Sequence, residues 1–317
     1  MSALYPTLPP FALEPQLVSR IWGRRDLKPW YPDMPTEEPI GEAWLSGDAC
    51  VALSGPLRGQ TLQEICSSQA RALLGADRAE AESPLLIKIL FAQEKLSVQV
   101  HPDDAMAQRK GSPRGKTECW YALEAGPDAE VACGLKPGAS LGAIEASLKD
   151  GTLEKWLEVL PVKTGEMIFV DAGTVHAIWP GSVLLETQQN SDITYRLYDY
   201  GRPRPLHVQE SLEALRLRTE AGKVEPVEEA DRTRLVDCAY FRIERMTVGG
   251  HVASDRFTTA GQALSYLFLL SGTARVSIRS GESVPWPAHT LLAVAACCED
   301  FQLECDGAVE LIRIVAK

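Results

Sequence analysis

The stretch "LSVQVHPDD", Leu96 to Asp104, reads as a short strand that a proline brings to an end. Side chains two positions apart in a strand share a face, so Gln99 and His101 project together between Val98 and Val100. A buried strand gains nothing from two polar groups on one face unless something pairs with them, because an unpaired buried polar group is costly. Both residue types can also bind a metal, which makes this face the place to look for one.

Around this segment the text is dominated by strands. "PLLIKILFAQ" (84–93), "ECWYALEA" (118–125), "MIFVDAG" (167–173), "SVLLETQQ" (182–189) and "ITYRLYDY" (193–200) are short, rich in β-branched and aromatic residues, and punctuated by Gly, Pro or Asp. Such a succession predicts a β-sandwich or barrel. Three helical stretches interrupt it. "TLQEICSSQARALLG" (61–75) opens with Thr61 and Glu64 at capping-box spacing, "SLGAIEASLKDG" (140–151) stops at Gly151, and "TLEKWLEVL" (152–160) follows. From Ala221 to Arg234 the apolar period is lost, as in a linker, and a second β-rich region follows. Only His251 and His289 occur as imidazoles there, neither with a carboxylate at ligand-like spacing, so a structural role is expected for that half.

The totals bound the partners. A chain of 317 residues with 45% hydrophobic and 24% charged residues suits two ordinary globular domains. Thirty-two basic against 43 acidic residues give a net charge of -11, which repels phosphate backbones and anionic lipid. Nucleic acid and membrane are therefore excluded as expected partners, and an anionic substrate requires a local basic pocket working against that field. The apolar run "LLAVAACC" (291–298) is far shorter than the ~18 residues a membrane span needs, and the N-terminal stretch holds no apolar core of signal-peptide length. Eight cysteines without a Cys-x-x-Cys pair read as buried thiols in a reducing, cytoplasmic compartment. Cys119 beside Glu118 is a weak nucleophile candidate, since neighbours in a strand face opposite ways.

Two further segments repeat the motif of a metal-type residue inside apolar text. "GKTECWY" carries Glu118, and "AGTVHAIWPG" carries His176 just after Gly173, where a tight turn is expected. Two imidazoles and a carboxylate from three segments would make a divalent-metal site with room for an outside ligand.

At this point the sequence resembles the type I phosphomannose isomerases of the shorter bacterial form, a family of the cupin superfamily. "IGEAWLSG" (40–47), "LSVQVHPDD" (96–104), "GKTECWYAL" (115–123), "GLKPG" (134–138), "AGTVHAIWPG" (172–181) and "LLETQQNSDITYRLYDYGR" (184–202) carry the likeness in order. The resemblance implies a mainly β fold of two cupin-like double-stranded β-helix (jelly-roll) domains. The first would be a metal-bearing catalytic domain with helical insertions over 1–230, and the second a metal-free domain over 231–317. It implies one Zn2+ per chain on Gln99, His101, Glu118 and His176, an active-site Arg196, and roles for Lys116, Ser97 and Glu186. Two positions depart from the pattern: Asp171 stands where the general cupin motif has Pro, and Ile178 where longer members have an aromatic.

The implied activity is an aldose–ketose isomerisation of mannose 6-phosphate and fructose 6-phosphate through an enediol. Glu186, Lys116 and Asp192 are the candidates for moving the proton. Ser97 and Lys116 are expected at the phosphate end, where "AQRKGSPRGK" (107–116) adds Arg109, Lys110 and Arg114 and "YGRPRP" adds Arg202 and Arg204. Two rival readings stand beside it. One is a cupin Fe(II) oxygenase, which dioxygen dependence would reveal. The other is a non-catalytic sugar-phosphate-binding protein, against which the intact ligand, Lys116 and Arg196 positions argue. The sequence sets no oligomeric state.

Overall fold

The strand Leu85–Ala92 is buried at every position, as its unbroken apolar text requires. It lies inside a seven-stranded sheet ordered Gly222–Lys223, Met167–Val170, Glu118–Ala125, Ser182–Gln189, Leu85–Ala92, Ile40–Trp44, Gln16–Arg24. A second, five-stranded sheet runs Tyr195–Tyr198, Val98–Val100, His176–Ile178, Glu130–Leu135, Leu157–Pro161. The two sheets share a core: Leu90, Trp120, Ile168 and Leu184 of the first meet Val131, Cys133 and Ile178 of the second, with Trp22 and Leu96 alongside. The other face of the five-stranded sheet buries Val98, Val100, Ala177 and Leu197 with Ile144 and Ala214, which lie on the helices Leu141–Asp150 and Val208–Ala214.

This computed structural model describes residues 8–33, 37–75, 82–249, 255–257, 263–278, 283–284, 286–298, 301–305 and 307–317. The chain forms two compact units, one of Leu17–Ala43 with Leu86–Val224 and one of Met1–Gln16, Trp44–Leu85 and Glu225–Lys317. The second unit is also β-rich. It holds a seven-stranded sheet whose middle is Ser265–Ser271, Val309–Ala316 and Phe241–Val248, and a four-stranded sheet. His251 lies outside the described residues.

The expected double-stranded β-helix is corrected here. Among the described residues the fold is mainly β with four separate open sheets, and none closes into a barrel. In the unit that carries the candidate ligands, each sheet ends in strands with a free edge: Gly222–Lys223 and Gln16–Arg24 bound one, Tyr195–Tyr198 and Leu157–Pro161 the other. Closure requires those edges to hydrogen-bond, and they do not.

Two of the helix expectations hold in detail. Thr61 caps Leu62–Leu74 with both bonds of a capping box, and Ser140 caps Leu141–Asp150, which ends at a left-handed Gly151. The third differs: "TLEKWLEVL" forms a single 3-10 turn, Leu153–Trp156, and then the strand Leu157–Pro161. Pairing of Val159 with Ala132 and Leu160 with Val131 wins there over helical continuation. The region read as a linker carries the short strands Gly222–Lys223 and Val227–Glu228. Among the described residues no helix is long and apolar enough to cross a membrane.

Candidate metal centre

The five-stranded sheet places Arg196, Gln99 and His176 in one row. Gln99 is the direct cross-strand partner of both Arg196 and His176, so the three side chains share a face. His101, two residues beyond Gln99, is tied to the same end through its carbonyl, which accepts from the Gly173 N–H at 2.8 Å. Gly173 sits at φ +90, and a Cβ there would stand 2.7 Å from the Arg216 side chain, so the turn before His176 requires glycine. Asp171, in place of the proline, holds that turn by accepting from the Thr174 hydroxyl at 2.8 Å. Glu118 arrives from the facing sheet. Its approach depends on Gly115, where a Cβ would meet the Pro102–Asp104 backbone at 2.5 Å.

His101, Glu118 and His176 converge with their ligand atoms all within 4.8 Å of one another, and all three are buried. His101 Nε2 lies 3.5 Å from Glu118 Oε2, and His176 Nε2 lies 3.5 Å from the other oxygen, Oε1. Two donors bound about 2.1 Å from one ion at tetrahedral angles stand about 3.4 Å apart, so this spacing fits a shared cation. The tautomers fit as well. His101 Nδ1 donates to the Ile193 carbonyl and His176 Nδ1 to the Thr174 carbonyl, each at 2.9 Å, which leaves both Nε2 lone pairs turned toward the carboxylate.

Burial, with Lys116 and His176 adding charge repulsion, pushes the His101 imidazole well below its ordinary value, though the Ile193 carbonyl opposes it. Burial likewise brings His176 down to about 4. Both rings are neutral, the form that binds a metal. His101 Nε2 and Glu118 Oε1 are buried without a hydrogen-bond partner among the described residues. That leaves an opening of the right chemistry for a cation. Gln99 Nε2 lies 3.2 Å from His176 Nε2. Turning the amide by half a revolution puts its acceptor oxygen at the same place, beside His176 Nε2.

Behind the cluster runs a ladder of alternating charge, buried as far as its half-buried last member, Arg20. Lys116 Nζ pairs with Glu118 at 2.9 Å. Burial, the largest influence on Lys116, lowers its pKa, but Glu118, Glu186 and Glu42 together outweigh it, so the ammonium is raised and stays charged. Glu186 accepts from Trp120 Nε1 at 3.3 Å and pairs with Lys88 at 3.2 Å. Lys88 reaches Glu42 at 3.9 Å, and Arg20 holds Glu42 through Nε and Nη2 at 3.1 and 3.2 Å. Three cations balance three carboxylates before any ligand enters. Lys88 and Glu42 are the residues that sequence reasoning missed; a lone lysine in "LLIKILFA" and a lone glutamate in "IGEAW" were the signal.

The other sequence candidates fall as follows. Ser97 is buried immediately before the strand Val98–Val100. Arg196 donates Nη1 to the Pro205 carbonyl at 2.8 Å, and its buried Nε has no hydrogen-bond partner among the described residues. Arg202 is held by Asp199 and donates to the Lys95 carbonyl, both at 2.8 Å. Asp192 is exposed, and Arg109 and Lys110 pair with Glu213 at the surface. Cys119 turns its thiol toward the Thr187 carbonyl, away from the cluster. Ile178 is buried in the shared core.

The sequence and the fold are similar to those of known proteins. Residues 11–134 match the family model of the phosphomannose isomerase type I catalytic domain. The chain is 33% identical over 285 residues to a mannose-6-phosphate isomerase of Streptococcus mutans, covering 85% of this chain and 87% of that protein. It is 36% identical over 259 residues to the mannose-6-phosphate isomerase ManA of Bacillus subtilis, covering 77% and 81%. The crystal structure of the mannose 6-phosphate isomerase from Bacillus subtilis superposes with a TM-score of 0.87 at 27% identity, over 97% of this chain and 99% of that one.

Proposed function

Since this chain belongs to the type I phosphomannose isomerases, in their shorter bacterial form, we propose that it interconverts mannose 6-phosphate and fructose 6-phosphate, with one Zn2+ held by Gln99, His101, Glu118 and His176. The observation that carries the reading is the pair of buried, neutral imidazole Nε2 atoms facing one buried carboxylate. Zinc bound there supplies a Lewis acid without redox chemistry to divert the sugar.

The chain's own groups do the rest. Moving hydrogen between C1 and C2 of the sugar requires a base and cations placed where an oxygen becomes negative, as in an enediol. Lys116, fixed on Glu118 and held charged, is such a cation and is therefore a poor base. Arg196 shares the row of Gln99 and His176, and its unpaired Nε can donate to a sugar oxygen. Glu186 is our assignment for the base: it is buried on the same charge ladder, whereas Asp192 is exposed. Ser97 and Arg202 are assigned to the phosphate end. A cytoplasmic setting belongs to the same reading, supported by eight cysteines without a Cys-x-x-Cys pair.

The test is a coupled assay with mannose 6-phosphate before and after chelation, with zinc, manganese and iron added back separately. Loss on chelation and recovery with zinc are expected. Full activity in a metal-free sample, or a requirement for dioxygen, rejects the mechanism.

A further inference from the structure

A chain with net charge -11 needs a local reversal of sign to hold a phosphate, and the segment after Arg196 provides one. Asp199 is buried to 1% side-chain exposure, yet it is a carboxylate. Its Oδ1 pairs with Arg202 at 2.8 Å, and its two oxygens take Arg204 Nε and Nη2 at 2.7 Å each, a two-pronged grip. Arg202 is further fixed by the Lys95 carbonyl. Arg202 and Arg204 both lie near enough to Arg196 to oppose its charge. Arg202 and Arg204 thus share one carboxylate, and with Arg196 on the adjoining strand Tyr195–Tyr198 three guanidiniums stand around a single acid. Tyr198 pairs with Val98, so the register carries Asp199 to the level of buried Ser97. Arg202 and Arg204 keep 20% and 24% of their side chains exposed, which leaves donors on each for a ligand.

We propose that Asp199 is a positioning residue for phosphate-monoester recognition: it fixes Arg202 and Arg204 beside Arg196 so that the three cations meet the anionic end of the substrate already in place. Holding a flexible guanidinium before the ligand arrives removes the ordering cost from binding. A plain loop tie would leave phosphate affinity unaltered once the protein is folded. A mere excess of charge would make phosphate bind tighter when the carboxylate is removed. The positioning role gives the opposite sign to the second and a selective loss absent from the first.

This inference rests on the isomerase reading, and the experiment separates the two. Wild-type protein, Asp199→Asn, Asp199→Glu and Arg204→Gln are each compared, fully metallated, for kcat and KM with mannose 6-phosphate and for the competitive inhibition constant of inorganic phosphate. Asp199→Asn is expected to keep kcat within about twofold while KM and the phosphate constant both rise about tenfold, the loss of about one charge-assisted hydrogen bond's worth of order. Asp199→Glu should recover part of it, and Arg204→Gln should reproduce it. Unchanged constants in folded Asp199→Asn, tighter phosphate binding, or a fall in kcat alone overturns the proposal. Should Asp199→Asn not fold, unchanged constants in Arg204→Gln overturn it instead. A wild-type protein without turnover refutes the isomerase reading. Calorimetric titration with inorganic phosphate needs no turnover and still judges Asp199 by the same ratio.

Discussion

Replacing Lys88 by methionine removes a buried cation and leaves its volume nearly filled. Lys88 Nζ lies 3.2 Å from Glu186 and 3.9 Å from Glu42. At an effective dielectric of about 20 these separations correspond to gross attractions of about 5 and about 4 kcal/mol. Most of that offsets the desolvation of the three groups. What the substitution exposes is the part that cannot relax: Glu42 keeps Arg20, but among the described residues Glu186 keeps only the Trp120 N–H as a direct hydrogen-bond donor, with Lys116 acting on it through space. Breaking one side of a buried pair costs about 3–5 kcal/mol, and the lower half of that range is expected here because Lys116 remains. Lys88→Met/Glu186→Gln removes both charges and should recover at least about 1.5 kcal/mol relative to Lys88→Met alone. The assay is urea unfolding of wild type, both single variants and the double variant, compared within one transition at unchanged slope. If Lys88→Met costs less than about 1 kcal/mol, or if the double variant is no better than Lys88→Met, the charge ladder is not a coupled unit and the reasoning fails.

Further consequences can be measured directly. His101→Ala should lose bound metal, read by atomic emission, together with activity, because its Nε2 is one of the converging donors; retained turnover without metal contradicts the centre. Arg196→Ala should keep the metal but lose kcat, and an undiminished kcat would move Arg196 to a structural role. Gly173→Ala forces a left-handed φ on a side chain that also meets Arg216, so a loss of about 1–3 kcal/mol in stability and weaker metal retention are expected in unfolding and chelation assays. Burial raises the Cys50, Cys66 and Cys133 thiols to about 12. These three should therefore resist alkylation at pH 8 in the native protein and react once it is unfolded, as mass spectrometry of labelled peptides would show.

Much of the site was legible because its residues break the pattern around them. His101, Glu118 and His176 each stand in apolar strand text, and that contrast does not depend on knowing which strands pair. The caps at Thr61 and Ser140 were legible for a similar reason, since the bonds they make are local. The 3-10 turn and strand at 153–161 were not, because the choice there is made by Val131 and Ala132 some 27 residues earlier. Closure of the sheets was illegible for the same physical cause: whether an edge strand finds a partner is a property of register and twist, not of the strand's own composition.

Lys88 and Glu42 carry this lesson furthest. Each breaks an apolar strand as plainly as Glu118 does, yet neither reads as a metal ligand or a catalytic group by type and spacing. What gives them a role is the order of strands in the seven-stranded sheet. That order sets Gln16–Arg24, Ile40–Trp44, Leu85–Ala92 and Ser182–Gln189 side by side, and so aligns Arg20, Glu42, Lys88 and Glu186 across four neighbouring strands. A buried charge in one strand is a puzzle. Four of alternating sign in adjacent strands are each other's solvent, and Glu186 finds in Lys88 the partner that its place in the core demands.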